Sequence, residues 1–318
     1  MMYTIGIDLG GTNIATAVVN ENFKILGKGE LPTNADRDAL SIAKDMAKTV
    51  DMACEAAGVS KESIEWIGVG SPGAVNKKTG VIEYANNLHF SNVPLKQYIE
   101  ELTGIKCYVE NDANAAAYGE LLAGAGRGYS DMVAITLGTG VGGGVIIDGK
   151  IFDGSNSFGA ELGHTVIMVD GERCTCGRDG CWEAYASATA LIRQTKAAME
   201  ADKDSYMWKI ADSLDQVNGK TAFDGMRAGD QTATAVCEKY IEYVACGITN
   251  MINIFQPQIL CIGGGISKEK DNLLIPIKAY VEANRYSKEA KQQTELKIAQ
   301  LGNDAGIIGA AMLGKLYQ

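Results

Sequence analysis

The 318-residue sequence has no apolar stretch long enough to span a bilayer, so no membrane-spanning helix is expected. It has no lysine- or arginine-rich run and no basic helix. Its 29 basic residues are outnumbered by 39 acidic ones, a formal net charge of -10. On average that charge repels a phosphate backbone or an anionic lipid surface, which argues against nucleic-acid and membrane-surface roles. The opening MMYTIGIDLGG has neither a basic leader nor a long apolar core, so no secretion signal is expected. Nor is there a disulfide framework: Cys54, Cys107, Cys237, Cys246 and Cys261 are scattered through segments that read as buried helix or strand. That usage suits a reducing cytoplasm.

What is present is globular: 46% hydrophobic and 21% charged residues, in a chain long enough for two ordinary domains. YTIGIDLGGTNIATAVVN runs apolar on both sides of Gly10 and Gly11 and reads as a hairpin. MVAITLGTGVGGGVIIDG repeats the design, aligning Ile7-Asp8-Leu9-Gly10-Gly11-Thr12 with Ile135-Thr136-Leu137-Gly138-Thr139-Gly140. Between them, Leu40, Ala43, Ala47, Val50 and Cys54 mark one helical face closed by Gly58. Further on, Ile241, Val244, Ala245, Ile248, Met251 and Ile252 mark a long helix that Pro257 stops. QILCIGGGIS then reads as a strand ending in glycines, and AGIIGAAMLGKLY as a small-residue helix able to pack closely. The repeated hairpin suggests a duplication. The expected organisation is two α/β domains with mixed sheets and a cleft between them: residues 1–111 plus a returning helix 304–318, and residues 112–303.

Gly138-x-Gly140-x-x-Gly143 matches a dinucleotide fingerprint, but that motif must open a helix, and VGGGVIIDG continues as a strand. A Walker-type G-x-x-x-x-G-K-[ST] segment is absent. The remaining reading is a hairpin whose bare amides form an anion nest, with Asp8 before the turn and Thr12 after it, suited to phosphate and a hydrated divalent cation. The plainer reading is that tight turns need glycine.

ELGHTVIMVDGERCTCGRDGCWE, residues 161–183, gathers three cysteines and one of the two histidines. Cys174-x-Cys176-x4-Cys181 is not a C-x-x-C redox pair. With His164 it makes a Cys₃His set suited to tetrahedral zinc, and four protein ligands leave no open position, so the metal would be structural. Gly177 and Gly180 let the chain bend around it. The second imidazole nitrogen would remain free to hydrogen bond. In VENDANAAAYGE, Asn111 and Asp112 stand where a strand meets an alanine-rich helix. Asn and Asp are preferred helix caps, so the residues alone leave a cap and a catalytic pair equally open.

IGIDLGGTNI, ITLGTGVGGG and CIGGGIS together resemble the split ATP site of the actin-like sugar kinases. Glu161-x-Gly163-His164 followed by Cys174-Thr175-Cys176-Gly177-x-x-Gly180-Cys181-x-Glu183 is similar to the signature of the ROK family (repressor, open reading frame, kinase). The resemblance implies a two-domain actin-like (ribonuclease H-like) ATPase fold and an ATP-dependent hexose kinase. Asp112 would be the general base, and Asn111, Glu161, His164 and Glu183 would hold sugar hydroxyls. Gly73 would approach the sugar with its backbone and Asn87 would lie near it. Asp8, Gly10, Gly11, Thr12, Thr139 and Gly140 would meet phosphate and Mg²⁺, while Gly264 and Gly265 would lie along the nucleotide. Structural Zn²⁺ would sit on His164, Cys174, Cys176 and Cys181. The ordinary signature looks like the glucokinase branch; N-acetylmannosamine, N-acetylglucosamine and fructose are the other acceptors, and a homodimer is implied. Some relatives are sugar-sensing repressors with a helix-turn-helix before the glycine turn, but Asp8 stands too near the start of this sequence for one, and the net charge opposes it. His89 reads as a surface histidine.

Overall fold

Strand β1 (Tyr3–Leu9) and strand β2 (Asn13–Asn20) pair antiparallel across the Gly10–Thr12 turn, with Leu9 opposite Ile14. Ile5, Ile7, Ile14 and Val18 are fully buried, which is why the apolar runs on both sides of the turn form strands. The computed structural model describes residues 2–317. Chain contacts divide it into two units, one formed by residues up to Met132, Gly144–Ala160 and residues from Gln300 onward, the other by Val133–Gly143 and Glu161–Ala299.

In the first unit the five-stranded sheet has the order β3-β2-β1-β4-β8, with β3 (Ile25–Pro32), β4 (Ile64–Ser71) and β8 (Cys107–Asn111). Strand β4 runs parallel to both β1 and β8. A three-stranded ribbon of β5 (Ala74–Asn76), β6 (Val81–Ala85) and β7 (Phe90–Val93) follows β4 in the chain. Helix α1 (Ala39–Ala57) starts at Asp38, whose carboxylate accepts the Ser41 N–H at 2.9 Å, and ends at Gly58 in the left-handed region. Its buried face is Ile42, Ala43, Met46, Val50, Ala53 and Cys54. Leu40, expected on that face, is 40% exposed because it lies in the first turn, ahead of the stripe that meets the sheet. Helix α2 (Leu95–Thr103) closes on Gly104 in the left-handed region.

The second five-stranded sheet has the order β11-β10-β9-β12-β13, built from β9 (Met132–Leu137), β10 (Val141–Ile147), β11 (Lys150–Phe152), β12 (Ile259–Gly263) and β13 (Glu295–Ile298). In both sheets the strands, taken in chain order, lie third, second, first, fourth, fifth. The topology thus repeats along with the glycine hairpins. Helix α3 (Asp112–Ala123) belongs to the first unit. The second unit carries α4 (Glu183–Ala186), α5 (Ala188–Ala201), α6 (Met207–Ile210), α7 (Thr221–Arg227), α8 (Gln231–Phe255) and α9 (Asp271–Asn284). Among the described residues no helix is long and apolar enough to cross a membrane.

The returning helix lies in the first unit as expected, but the contacts keep α3 and Gly144–Ala160 there too, so the units do not divide near residue 111. The cause is α10 (Asp304–Ala311), followed by α11 (Gly314–Tyr317). A Cβ on Gly309 would overlap the Ala115 carbonyl, and one on Gly119 the Ala305 carbonyl, so α3 and α10 touch backbone to backbone. Buried Glu120 adds a clamp, accepting the N–H groups of Ala125, Gln300 and Leu301 at 2.9, 2.9 and 2.7 Å. A strand–helix junction looks like a domain break in sequence; contacts this close, made some 180 positions further along, are invisible there.

The α3–α10 contact yields a test of the packing. Gly309→Ala forces the helices apart and is expected to cost about 1–3 kcal/mol, the range for overpacking a tight interior. Equilibrium urea denaturation should show the lowered midpoint; an unchanged midpoint would mean the helices are not this close.

Candidate active site

The parallel register sets the site in the first unit. Asp8 on β1 lies opposite Gly70 on β4, and Gly70 lies opposite Glu110 on β8; one step on, Ser71 lies opposite Asn111. The carboxyl ends of three parallel-paired strands therefore deliver Asp8, Ser71 and Asn111 to one edge, where open α/β sheets bind ligands. Gly70 leaves room at the centre, since a Cβ there would lie 3.2 Å from the Ala115 Cβ on α3.

Asn111 is the cap of α3: its Oδ1 accepts the N–H groups of Ala113 at 2.9 Å and Asn114 at 3.2 Å. Its Nδ2 donates to the Gly73 carbonyl at 3.1 Å. Gly73 needs to be glycine, with φ +91° and no room for a Cβ beside Ala85. Asp112 is the first residue of α3, and its Oδ1 accepts the Ala113 N–H at 2.8 Å. The cap and the chemical reading thus fall on different residues: Asn111 does the capping, which leaves Asp112 available. Asn87, in an exposed turn, lies against the glycine hairpin, its carbonyl 3.3 Å from where a Gly11 Cβ would stand. His89 is a surface residue as expected, its side chain 70% exposed.

The Gly10–Thr12 turn is held shut. The Gly10 N–H donates to the Asn13 carbonyl at 2.9 Å, Thr33 N–H to the Thr12 carbonyl at 2.9 Å, and Thr33 Oγ1 to the Gly10 carbonyl at 2.6 Å. Gly10 is therefore a turn-former, and any anion contact falls to Gly11 and Thr12. Beside the turn a cavity of about 440 Å³ is lined by Asp8, Thr12, Lys28, Glu30 and Asp304, among others. Its lysine is already paired with Asp304 at 2.5 Å, so the carboxylates dominate, and the cavity favours a cation or a phosphate that brings one. Burial, and then the neighbouring Asp112 carboxylate, push the Asp8 pKa up to about 6. Burial also raises that of Asp112, against the opposing Ala113 N–H bond. Two carboxyl groups thus share a partly desolvated corner, each more basic than usual.

In the second unit the Gly138–Gly140 turn is closed by a Gly138 N–H to Gly140 carbonyl bond of 3.0 Å. The start of α5 grips it: Ala188 N–H donates to the Gly138 carbonyl and Thr189 Oγ1 to the Thr139 carbonyl, each at 2.8 Å. Glu183 Oε2 accepts the Val141 N–H at 2.9 Å, and its other oxygen reaches Thr175 Oγ1 at 3.3 Å. That carboxylate links the hairpin to the cysteine loop. Gly264, at φ +84°, presses against Leu137 and leads into the short turn starting at Gly265. Glu161 is exposed and precedes the turn Leu162–His164, which packs on the start of β10 through Gly143 and Gly163.

His164, Cys174, Cys176 and Cys181 bring one ligand atom each to within 4.8 Å of one another. Cys174 Sγ lies 3.6 Å from His164 Nδ1, and Cys176 Sγ 3.6 Å from Cys181 Sγ. Tetrahedral zinc with its usual bond lengths separates ligand atoms by about 3.3–3.8 Å, so the donor set fits a metal of that kind. Nδ1 faces the thiols, which leaves Nε2 as the free ring nitrogen. The loop is anchored by fully buried Trp182, whose Nε1–H donates to the Tyr243 carbonyl at 2.9 Å and whose indole fills the space beside Gly247.

Within the first unit the structure brings together Asp8, Gly11, Thr12, Gly73, Asn87, Asn111 and Asp112; within the second, Gly140, Glu183, His164 and the three cysteines. Thr33, Glu110 and Tyr317 also brace the first-unit site and were not identified in sequence. Thr33 and Tyr317 carry no motif, and Glu110 was read only as part of a strand.

The raised Asp8 pKa has a thermodynamic consequence. Because the folded pKa of about 6 exceeds the unfolded value of 3.8, the stability it contributes is fully present below 3.8 and is lost as pH rises through 6. Asp8→Asn should therefore stabilise the ligand-free chain at pH 8 by about 2–3 kcal/mol and much less near pH 4. Thermal melts at the two pH values check this; an equal gain at both would contradict it.

Residues 4–316 match the family model described as ROK family. The chain is 39% identical to a glucokinase of Halalkalibacterium halodurans, covering 98% of this chain and 94% of that one. It is 36% identical to a glucokinase of Thermotoga maritima, over 98% of this chain and 96% of the relative. Among solved structures, a ROK family glucokinase from Streptomyces griseus in complex with glucose and AMPPNP superposes with a TM-score of 0.82 at 37% identity, covering 98% of both chains. With its repeated sheet order, the fold is that of the two-domain actin-like ATPases to which such glucokinases belong. On the family match across almost its whole length and these full-length likenesses, the chain belongs to the ROK family.

Proposed function

We propose that the chain is an ATP-dependent glucokinase that transfers the γ-phosphoryl group of MgATP to the 6-hydroxyl of glucose. The observation that carries this reading is Asp112: a half-buried carboxylate, more basic than usual, at the ligand-binding edge of a parallel sheet, next to a glycine hairpin that also carries a carboxylate. The likenesses to glucokinases, one of them in complex with glucose and an ATP analogue, support the same assignment.

The glucose O6–H bond gives its proton to Asp112 as O6 bonds to the γ-phosphorus, and the β,γ-bridging oxygen leaves with the electron pair as ADP. Phosphoryl transfer needs chiefly positioning and charge stabilisation. Burial favours the protonated form of Asp112, which makes the carboxylate a better proton acceptor than an exposed one. In the first unit Asn111, with Gly73 and Asn87, would contact sugar hydroxyls; in the second unit the candidate hydroxyl contacts are Glu161, His164 Nε2 and Glu183. Asp8 would hold Mg²⁺, which supplies charge neutralisation for phosphate; Gly10 shapes the turn, Gly11 and Thr12 are the candidate phosphate contacts of the first unit, and Thr139 and Gly140 those of the second. Gly264 and Gly265 follow the nucleotide, where bare backbone allows close approach. His164, Cys174, Cys176 and Cys181 would hold Zn²⁺, which would supply no reactive position and would fix the imidazole and the loop.

Two measurements test the assignment. In a coupled ADP-release assay glucose should give a higher kcat/KM than N-acetylmannosamine, N-acetylglucosamine or fructose, and Asp112→Asn should cut kcat by about 10²–10⁴-fold while glucose still binds. A preferred acceptor other than glucose would overturn the specificity, and full turnover in the variant would overturn the base. Elemental analysis of native protein should find one zinc per chain, and chelation should lower the melting temperature and weaken glucose binding; absence of zinc would end the metal assignment.

A further inference from the structure

Directly behind Asn111 and Asp112 lies a carboxylate that packing alone does not explain. Glu110, at the last step of β8 before the α3 corner, is 2% exposed. Its Oε1 accepts the Asn111 backbone N–H at 2.8 Å and Asn114 Nδ2–H at 3.1 Å. Its Oε2 accepts the hydroxyl of Tyr317, in the last helix of the chain. All these donors are neutral. The nearby ammonium of Lys77 lies 6.0 Å from the Tyr317 ring centre and is bound at 2.6 Å to Asp153.

An interior carboxylate without a cation costs stability, and an apolar residue at its position would serve the core better. What the carboxylate does uniquely is bind both sides of the corner, the peptide N–H of residue 111 and a side chain one turn into α3. Burial raises the Glu110 pKa, while the Tyr317, Asn111 and Asn114 bonds oppose that rise. Tyr317 is the donor that comes from outside the corner. Its ring lies 6.3 Å from that of Tyr108 on the same strand.

We propose that Glu110 and Tyr317 are a positioning pair: the tyrosine hydroxyl holds the Glu110 carboxylate, which fixes the Asn111–Asp112 corner so that the base meets the sugar hydroxyl in line. The pair rests on the kinase reading above, touches no substrate, and makes the final turn of the chain part of the catalytic apparatus.

The test is steady-state kinetics with glucose and MgATP on the full chain, in wild type, Tyr317→Phe, Asp112→Asn and the double variant, with melting curves for each. Tyr317→Phe keeps the ring and loses one hydroxyl. It should lower kcat about tenfold or more, the scale of a small misplacement of a reacting group, with glucose KM changed less than about threefold. In the Asp112→Asn background the same substitution should cost nothing further, because the pair acts through the base. Glu110→Gln, which retains an acceptor for the Asn111 N–H, should keep more kcat than Glu110→Ala; it decides the question should Tyr317→Phe melt below the assay temperature. Wild-type kcat in Tyr317→Phe, an effect confined to KM, or an equal loss in both backgrounds would overturn the positioning role and leave the kinase reading standing. A wild-type chain that releases no ADP with any hexose would overturn the kinase reading and the pair with it.

Discussion

Asp8 and Asp112 repel each other, yet parallel pairing of β1, β4 and β8 holds them in one desolvated corner. Most of the first unit can be understood as the means of sustaining that arrangement. Gly70 leaves the central strand bare between them, Thr33 closes the turn beside Asp8, and the Asn111 cap starts α3 so that Asp112 lies at its head. The corner is unfavourable for the empty protein, and a divalent cation with phosphate is the ligand that would relieve it. Its cost is met by the surrounding core, where Ile5, Ile7, Ile67 and Val69 are all but inaccessible.

In the second unit rigidity comes from cross-links of another kind. The loop between Glu172 and Asp179 is mostly exposed, and it is pinned where Cys174 and Cys181 pack with Ala184 and Tyr185 beside the His164–cysteine cluster. Trp182 fastens the far end of that loop to α8, and Glu183 fastens it to the Gly138–Gly140 turn. One Glu183 oxygen accepts the Val141 N–H and the other the Thr175 hydroxyl, so a single carboxylate braces the hairpin and the loop together.

Residues in short, spaced motifs were readable without coordinates. The glycine hairpins, the Cys₃His spacing and the strand-to-helix junction at Asn111 each depend on neighbours within about twenty positions, where backbone geometry ties spacing to shape. The periodic face of α1 was legible for the same reason, except at Leu40, where a helix end frees a residue from the stripe. Glu110, Thr33 and Tyr317 were not legible. Their partners lie 207 positions away for the Glu110–Tyr317 bond and 23 for the Thr33–Gly10 bond. No local pattern distinguishes them from ordinary strand, loop and terminal residues.

The amino-acid sequence by itself determined the family, the repeated hairpin design and which His, Cys and acidic side chains are candidates for the site, because these follow from local spacing and residue chemistry. The tertiary structure alone decided where the units divide, which of Asn111 and Asp112 serves as the helix cap, and how strongly the paired carboxylates are perturbed. Those outcomes depend on backbone contact between α3 and α10, on strand register, and on how far water is excluded around each group. All three arise only when distant parts of the chain are brought together.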